Sequence, residues 1–195
     1  CAGPTPGRPA TLRERARALG LRTLRSIVGI VPQEATVFEG TWRNNVDPFA
    51  EVPDALIWEA LRRVRLAACV RALPDGIDSE ILHGGASLSF GQRQLLGLAR
   101  MVVRQPPVLL LDECTSALDA GAEEEAHGAL LREFPMSTVL AVTHRLETVM
   151  GFDTVVVLDN GSVVEQGPVE ALLKVEDGAF SNLVKGRPCN GDQEG

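Results

Sequence analysis

At 195 residues and 45% hydrophobic composition, the chain has the length and apolar content of one globular domain with a real core. The formal net charge of −7 argues against broad nucleic-acid binding, and no apolar run approaches the roughly 20 residues that span a bilayer. The start, Cys1-Ala2-Gly3-Pro4-Thr5-Pro6-Gly7, has no initiator Met and no apolar signal-peptide core, so it reads as the beginning of a fragment or a processed chain.

Residues 1–19 are rich in Pro, Gly and Arg and read as a loop-like remnant; a solvated linker accounts for Arg8, Arg13, Arg15 and Arg17 more simply than a nucleic-acid arm. The run Ser-Ile-Val-Gly-Ile-Val at 26–31 predicts a buried strand that stops at Pro32. Pro53-Asp54 starts a predicted helix to about Arg65, with Ala55, Ile57, Trp58, Leu61 and Val64 on one face. Cys69 lies in the apolar stretch 66–70 and reads as a small core residue. Leu73-Pro74-Asp75-Gly76 is a turn, and 81–87 is loop-like. Ser89 is placed to cap a helix from about Gly91 to Arg104, which Pro106-Pro107 ends. The apolar run 108–111 predicts a fully buried strand.

A helix over roughly 119–133 and a strand over 138–142 follow, then a short helix after His144 and a strand over 154–158. Asp159-Asn160-Gly161 predicts a hairpin turn into 162–165; two short helices near 168–174 and 177–185 precede a polar tail, 186–195. Strands alternating with helices predict an α/β fold with a mainly parallel sheet. No convincing strand falls within 34–104, which reads as a helical insertion. Of the four cysteines none is spaced as a metal or redox pair, which suits free thiols in a reducing compartment.

Four groups in this order can carry chemistry. The strand 108–111 ends in Asp112-Glu113, and ligand sites of parallel sheets lie at the carboxyl ends of their strands. There Asp112 can hold Mg2+ through hard oxygen ligands, and Glu113 can polarise a water for in-line attack on a phosphoryl group. Taken alone, two solvated acids capping the next turn are an equally good account. Leu88-Ser89-Phe90-Gly91-Gln92 opens a helix whose unpaired amides suit an anion; Ser89 adds a hydroxyl and Gly91 allows close backbone approach. Here an ordinary serine cap is the alternative. Gln33, past the strand 26–31, can ligate Mg2+ or hold a water, as can many a loop glutamine that does neither. His144, past the strand 138–142, can hydrogen-bond a terminal phosphate or cap the next helix. His83 and His127 belong to no such group. Three of the four signals sit at predicted strand ends, where one sheet would gather them. Nowhere does the chain contain a Gly-rich loop ending in Gly-Lys-Ser or Gly-Lys-Thr.

That order resembles the ATP-binding cassette (ABC) ATPase domain over about residues 20–185. Gln33 matches the Q-loop glutamine, and Leu88-Ser89-Phe90-Gly91-Gln92 the family signature, usually Leu-Ser-Gly-Gly-Gln. The segment 108–112 matches Walker B, and Glu113 the catalytic glutamate. Ser116-Ala117-Leu118-Asp119 matches the D-loop and His144 the switch histidine. The stretches 20–26 and 40–49 are similar to the second, C-terminal nucleotide-binding domain of subfamily C, the multidrug-resistance-associated and sulfonylurea-receptor type. The non-Gly third signature residue, Phe90, and the retained Glu113 agree with that placement.

The resemblance implies a P-loop NTPase (RecA-like) α/β fold with a helical signature subdomain at about 34–104, lacking its N-terminal strands and Walker A. It implies ATP and Mg2+ as cofactors, Glu113 and His144 as catalytic residues, Asp112 and Gln33 at the metal, and Gln33, Ser89, Gly91, Gln92 and Asp119 at nucleotide. The implied partners are a second ABC nucleotide-binding domain, sandwiching two ATP molecules with this one, and transmembrane domains of the same transporter, with no nucleic acid. The domain would then lie on the cytoplasmic side of a membrane, with Phe38 and Trp42 as candidates for touching the membrane part or, equally, as core residues. The chain departs from the family in three ways. Walker A is absent, no aromatic residue precedes it to stack on adenine, and Phe90 is bulky where Gly is usual. The isolated chain is therefore expected to bind nucleotide poorly, and the full-length protein to hydrolyse ATP. Two rival readings are a non-catalytic module that completes a partner's ATP site, and a soluble ABC ATPase of translation or DNA repair. The acidic charge and the stretch 43–49 disfavour the second.

Overall fold

The computed structural model describes residues 19–113 and 133–186. The chain divides into two compact units, residues 1–142 and 143–195. The helix expected over 119–133 lies outside the described residues, except for Glu133, which is helical.

The first unit opens with helix α1 (Leu21–Ile27) and strand β1 (Val28–Val31). The strand expected from residue 26 begins two residues later. The N–H of Val28 donates to Leu24 O and the Ser26 hydroxyl to Thr23 O, so local helical bonding claims the intervening residues. β1 lies parallel to β4 (Val108–Asp112), which lies parallel to β5 (Thr138–Val142), giving the order β1-β4-β5. The register Val31↔Leu111↔Ala141 brings all three carboxyl ends to one edge.

The central strand was expected to be buried on both faces. Leu109 and Leu111 are buried, but Val108 and Leu110 are only half-buried. Beside Leu110, Ile30 and Leu140 are 57% and 58% exposed. Among the described residues the helical layer covers one face only. Gly29 interrupts an otherwise apolar strand because a Cβ there would lie 2.6 Å from Pro106 Cγ and 2.7 Å from Met101 Sδ.

The insertion is helical except for a two-residue antiparallel ladder that sequence alone did not reveal, β2 (Gly40–Thr41) with β3 (Glu80–Ile81). Thr41 caps α2 (Trp42–Val46), its hydroxyl accepting from Asn44 N at 3.1 Å. Helix α3 (Asp54–Arg63) buries Ile57, Ala60 and Leu61 and leaves Ala55 exposed. Helix α4 (Ala67–Arg71) buries Ala67 and Val70, and Cys69 is exposed rather than in the core. In so short a helix only the i, i+3 pair faces inward. Helix α5 (Phe90–Arg104) carries the largest share of this unit's core, with Leu96, Leu98, Ala99 and Met101 packed alongside Val31, Leu109 and Leu111.

The second unit contains α6 (Leu146–Val149) and the hairpin β6 (Thr154–Asp159)–β7 (Ser162–Pro168), followed by α7 (Val169–Leu172) and α8 (Ala179–Val184). Asn160 and Gly161 both take positive φ, 45° and 76°, as the tight hairpin turn requires. β7 runs three residues past the expected 165, because Thr154↔Pro168 pairing continues to the base of the hairpin. Val157, Val169, Leu172 and Phe180 form this unit's own core.

Candidate functional site

The parallel register sets Gln33 and Glu113 just beyond the carboxyl ends of neighbouring strands. Their side chains meet: Gln33 Nε2 donates to Glu113 Oε2 at 3.3 Å. Glu113 takes a left-handed φ of 46°, and its N–H donates to Val142 O at 3.0 Å. A glutamate in that region costs about 1 kcal/mol, a kind of strain that recurs at functional sites. Asp112, the last residue of β4, is exposed at the same edge.

Beneath this pair lies a residue the sequence reading missed. Gln94, 1% exposed in the second turn of α5, donates from Nε2 to Gln33 O at 3.0 Å and to Glu113 O at 3.5 Å. Among the described residues its buried Oε1 has no hydrogen-bond partner. The signal was an amide on the same helical stripe as Leu98 and Met101, both buried. Arg100 was missed as well. Its guanidinium donates to Thr36 O and to Asn45 Oδ1 and lies 4.9 Å over the Phe38 ring. Burial pushes its affinity for protons below the ordinary arginine range.

At the start of α5, Ser89 Oγ accepts from Gln92 N at 3.1 Å while Gln92 Oε1 accepts from Ser89 N at 2.8 Å, a complete capping box. Arg93 N donates to Ser89 O. In a helix the first N–H groups, here of Phe90 and Gly91, have no acceptor within the helix, and with the Ser89 hydroxyl they suit an anion. Gln92 Nε2 points back to Cys69 Sγ at 3.7 Å. The Phe90 ring lies 5.7 Å from the Arg93 guanidinium, which also donates to Leu88 O at 2.8 Å.

Of the remaining sequence-derived candidates, His144 is exposed in the second unit, two residues past β5. Asp119, with Ser116, Ala117 and Leu118, lies outside the described residues. Trp42 is buried at 2% exposure, which fits its reading as a core residue, while Phe38 is half exposed. Among the described residues no three His, Cys, Asp or Glu side chains form a metal-holding group. The donors at the sheet edge are hard oxygens of Asp112, Glu113 and Gln33. That set fits Mg2+, which takes one or two carboxylates and draws its other ligands from phosphates and water.

Residues 5–116 match the ABC transporter family. The chain belongs to that family. It is 40% identical over 182 residues to the vacuolar heme ABC transmembrane exporter abc3 of Schizosaccharomyces pombe, a match covering 93% of this chain and 12% of that relative. It is 41% identical over 168 residues to ATP-binding cassette sub-family C member 2 of Rattus norvegicus, covering 86% of this chain and 11% of that relative. Among solved structures, that of a bacterial Atm1-family ABC exporter with ATP bound superposes with a TM-score of 0.77 at 33% identity, over 84% of this chain and 29% of that one. The fold is therefore the α/β fold of the ABC ATPase domain, and the similarity to sub-family C and multidrug-resistance-associated relatives runs across most of the chain. The chain spans about an eighth of the length of the curated relatives it matches. No described helix is long and apolar enough to cross a membrane.

Proposed function

We propose that this chain is the C-terminal part of an ATP-hydrolysing motor domain, of the second-domain type of subfamily C, in a transporter that exports substrates across a membrane. The observation that carries the reading is the side-chain contact between Gln33 and Glu113 at the shared edge of parallel strands, beside Asp112. The ABC ATPase domain proper would be residues 20–185, with its helical part at about 34–104, a preceding remnant at 1–19 and a tail at 186–195.

In this reading Glu113 takes a proton from the attacking water, and Gln33, hydrogen-bonded to it, orders the water and the metal. Asp112 would hold Mg2+, which supplies charge neutralisation on the phosphates when bound. Ser89 and the N–H groups of Phe90 and Gly91 donate to the phosphate of a nucleotide held by a second ABC domain, and Gln92 keeps that helix end closed by its capping bond. The resemblance also assigns His144 to catalysis and Asp119 to nucleotide binding. Phe38, exposed on the insertion, meets the transmembrane domains, and the chain lies on their cytoplasmic side.

The test is ATP turnover of the full-length natural protein with and without Glu113→Gln. The substitution keeps the shape and the Gln33 neighbour but removes the base, so turnover should fall about 100-fold or more. Unchanged turnover removes Glu113 from the reaction. The capped start of α5, which presents Ser89 independently of Glu113, supports a second reading, a module that only completes a partner's site. In that case Ser89→Arg, not Glu113→Gln, abolishes the partner's turnover.

A further inference from the structure

Gln94 is chemically out of place. A fully buried amide at the heart of an apolar helix face forfeits the hydration of its carbonyl, and among the described residues Gln94 Oε1 finds nothing in return. Its orientation is fixed, because the opposite flip would set Oε1 against the carbonyl oxygens of Gln33 and Glu113. Both protons of Nε2 are spent on those two carbonyls, one from each strand-end residue whose side chains touch at 3.3 Å. Through this side chain helix α5 reaches both.

We propose that Gln94 is a positioning residue for hydrolysis: its amide nitrogen ties the backbone carbonyls of Gln33 and Glu113 together and so sets the spacing of their side chains. The role rests on the reading of Glu113 as the base that activates water. In this role Gln94 acts through the backbone. It acts by holding Glu113 in its left-handed conformation and Gln33 within reach, so that the two move as a unit.

Gln94→Met tests this, because it matches the side chain in length and volume, removes both donors and also removes the orphaned oxygen. A merely structural residue exchanged this way would change melting temperature and leave turnover per folded molecule alone. The expected result is the reverse. Melting of the 195-residue chain should change little, while kcat of the full-length protein falls about 10–100-fold and KM for ATP stays within about twofold. Hydrogen exchange of the Glu113 amide, measured on the 195-residue chain, should accelerate about tenfold.

Wild-type kcat in Gln94→Met, together with a loss of turnover in Glu113→Gln, overturns the positioning role and leaves the catalytic reading intact. Unchanged turnover in Glu113→Gln overturns the catalytic reading itself. Unaltered protection of the Glu113 amide in Gln94→Met overturns the backbone tie whatever the turnover. Should the Met variant fail to fold, Gln94→Leu, which is apolar and also lacks both donors, is read by the same two measurements.

Discussion

Asn45 is the polar knot of the helical insertion, and its removal should be costly in proportion to four hydrogen bonds. The side chain is wholly buried. Its Oδ1 accepts from Phe38 N and from Arg100 Nη2, both at 2.9 Å, and its Nδ2 donates to Phe38 O at 2.8 Å and Thr41 O at 3.1 Å. At about 1 kcal/mol each these bonds total about 4 kcal/mol in Asn45→Ala. Phe38 is half exposed, so water can recover part of its share, and about 3 kcal/mol remains. With a urea dependence of about 2 kcal/mol per molar, the unfolding midpoint should fall by about 1.5 M. Both tryptophans, Trp42 and Trp58, lie in this insertion, so tryptophan fluorescence reports on the affected part of the chain. The neighbour Asn44 is exposed, and Asn44→Ala should shift the free energy by no more than about 0.5 kcal/mol. Equal shifts for the two variants, or a fall below about 0.5 M for Asn45→Ala, refute the assignment of the buried network as the source of stability.

Gly29→Ala should destabilise the first unit by about 1–3 kcal/mol in the same assay, because the new Cβ overlaps Pro106 and Met101; a neutral result means the end of α5 yields freely. Acid should act through three carboxylates. The Arg43 guanidinium holds Asp54 and Asp78 below the ordinary carboxylate range, and Arg62 and Arg63 hold Glu59 at about 2 against an ordinary 4.5. Folded-state values below the unfolded ones mean that stability is present above about pH 4.5 and lost as pH falls toward about 2. Urea midpoints should be flat from about pH 7 to 5 and drop below that, less steeply in Arg43→Met; an equal slope in that variant discounts the Arg43 pairs. Mg-ATP should move the melting temperature of the 195-residue chain by less than about 1 °C, and a clear rise at micromolar ATP contradicts poor binding by the isolated chain.

What could be read from sequence was local. Ser89 announced its helix cap, and Asn160-Gly161 its hairpin, because one turn contains both partners, though the reciprocal bond from Gln92 came with the structure. β5 was legible as an apolar run with β-branched residues at both ends. Cys69 misled because the residues around it are apolar, although a five-residue helix can bury only one stripe. Gly29 carried no visible reason until Pro106 and Met101 arrived from far along the chain. At the site, residue types marked Gln33, Asp112 and Glu113, but their contact spans 80 positions. The two carbonyls held by Gln94 lie 61 and 19 positions from it. Nothing in the residue type of Glu113 shows its left-handed backbone; that comes from the turn leaving β4 and its bond to Val142 O.

Helix α5 has two ends of influence close together. Ser89 and Gln94 are five residues apart, about 7.5 Å along the axis. If Ser89 leans on a nucleotide bound to a neighbouring domain while Gln94 grips the loops of this one, a single stiff rod is loaded from both sides. A displacement at the first turn would be passed through Gln94 to the backbone of Glu113. The coupling of the two contacts would then be a matter of mechanical leverage, written into the pitch of one helix.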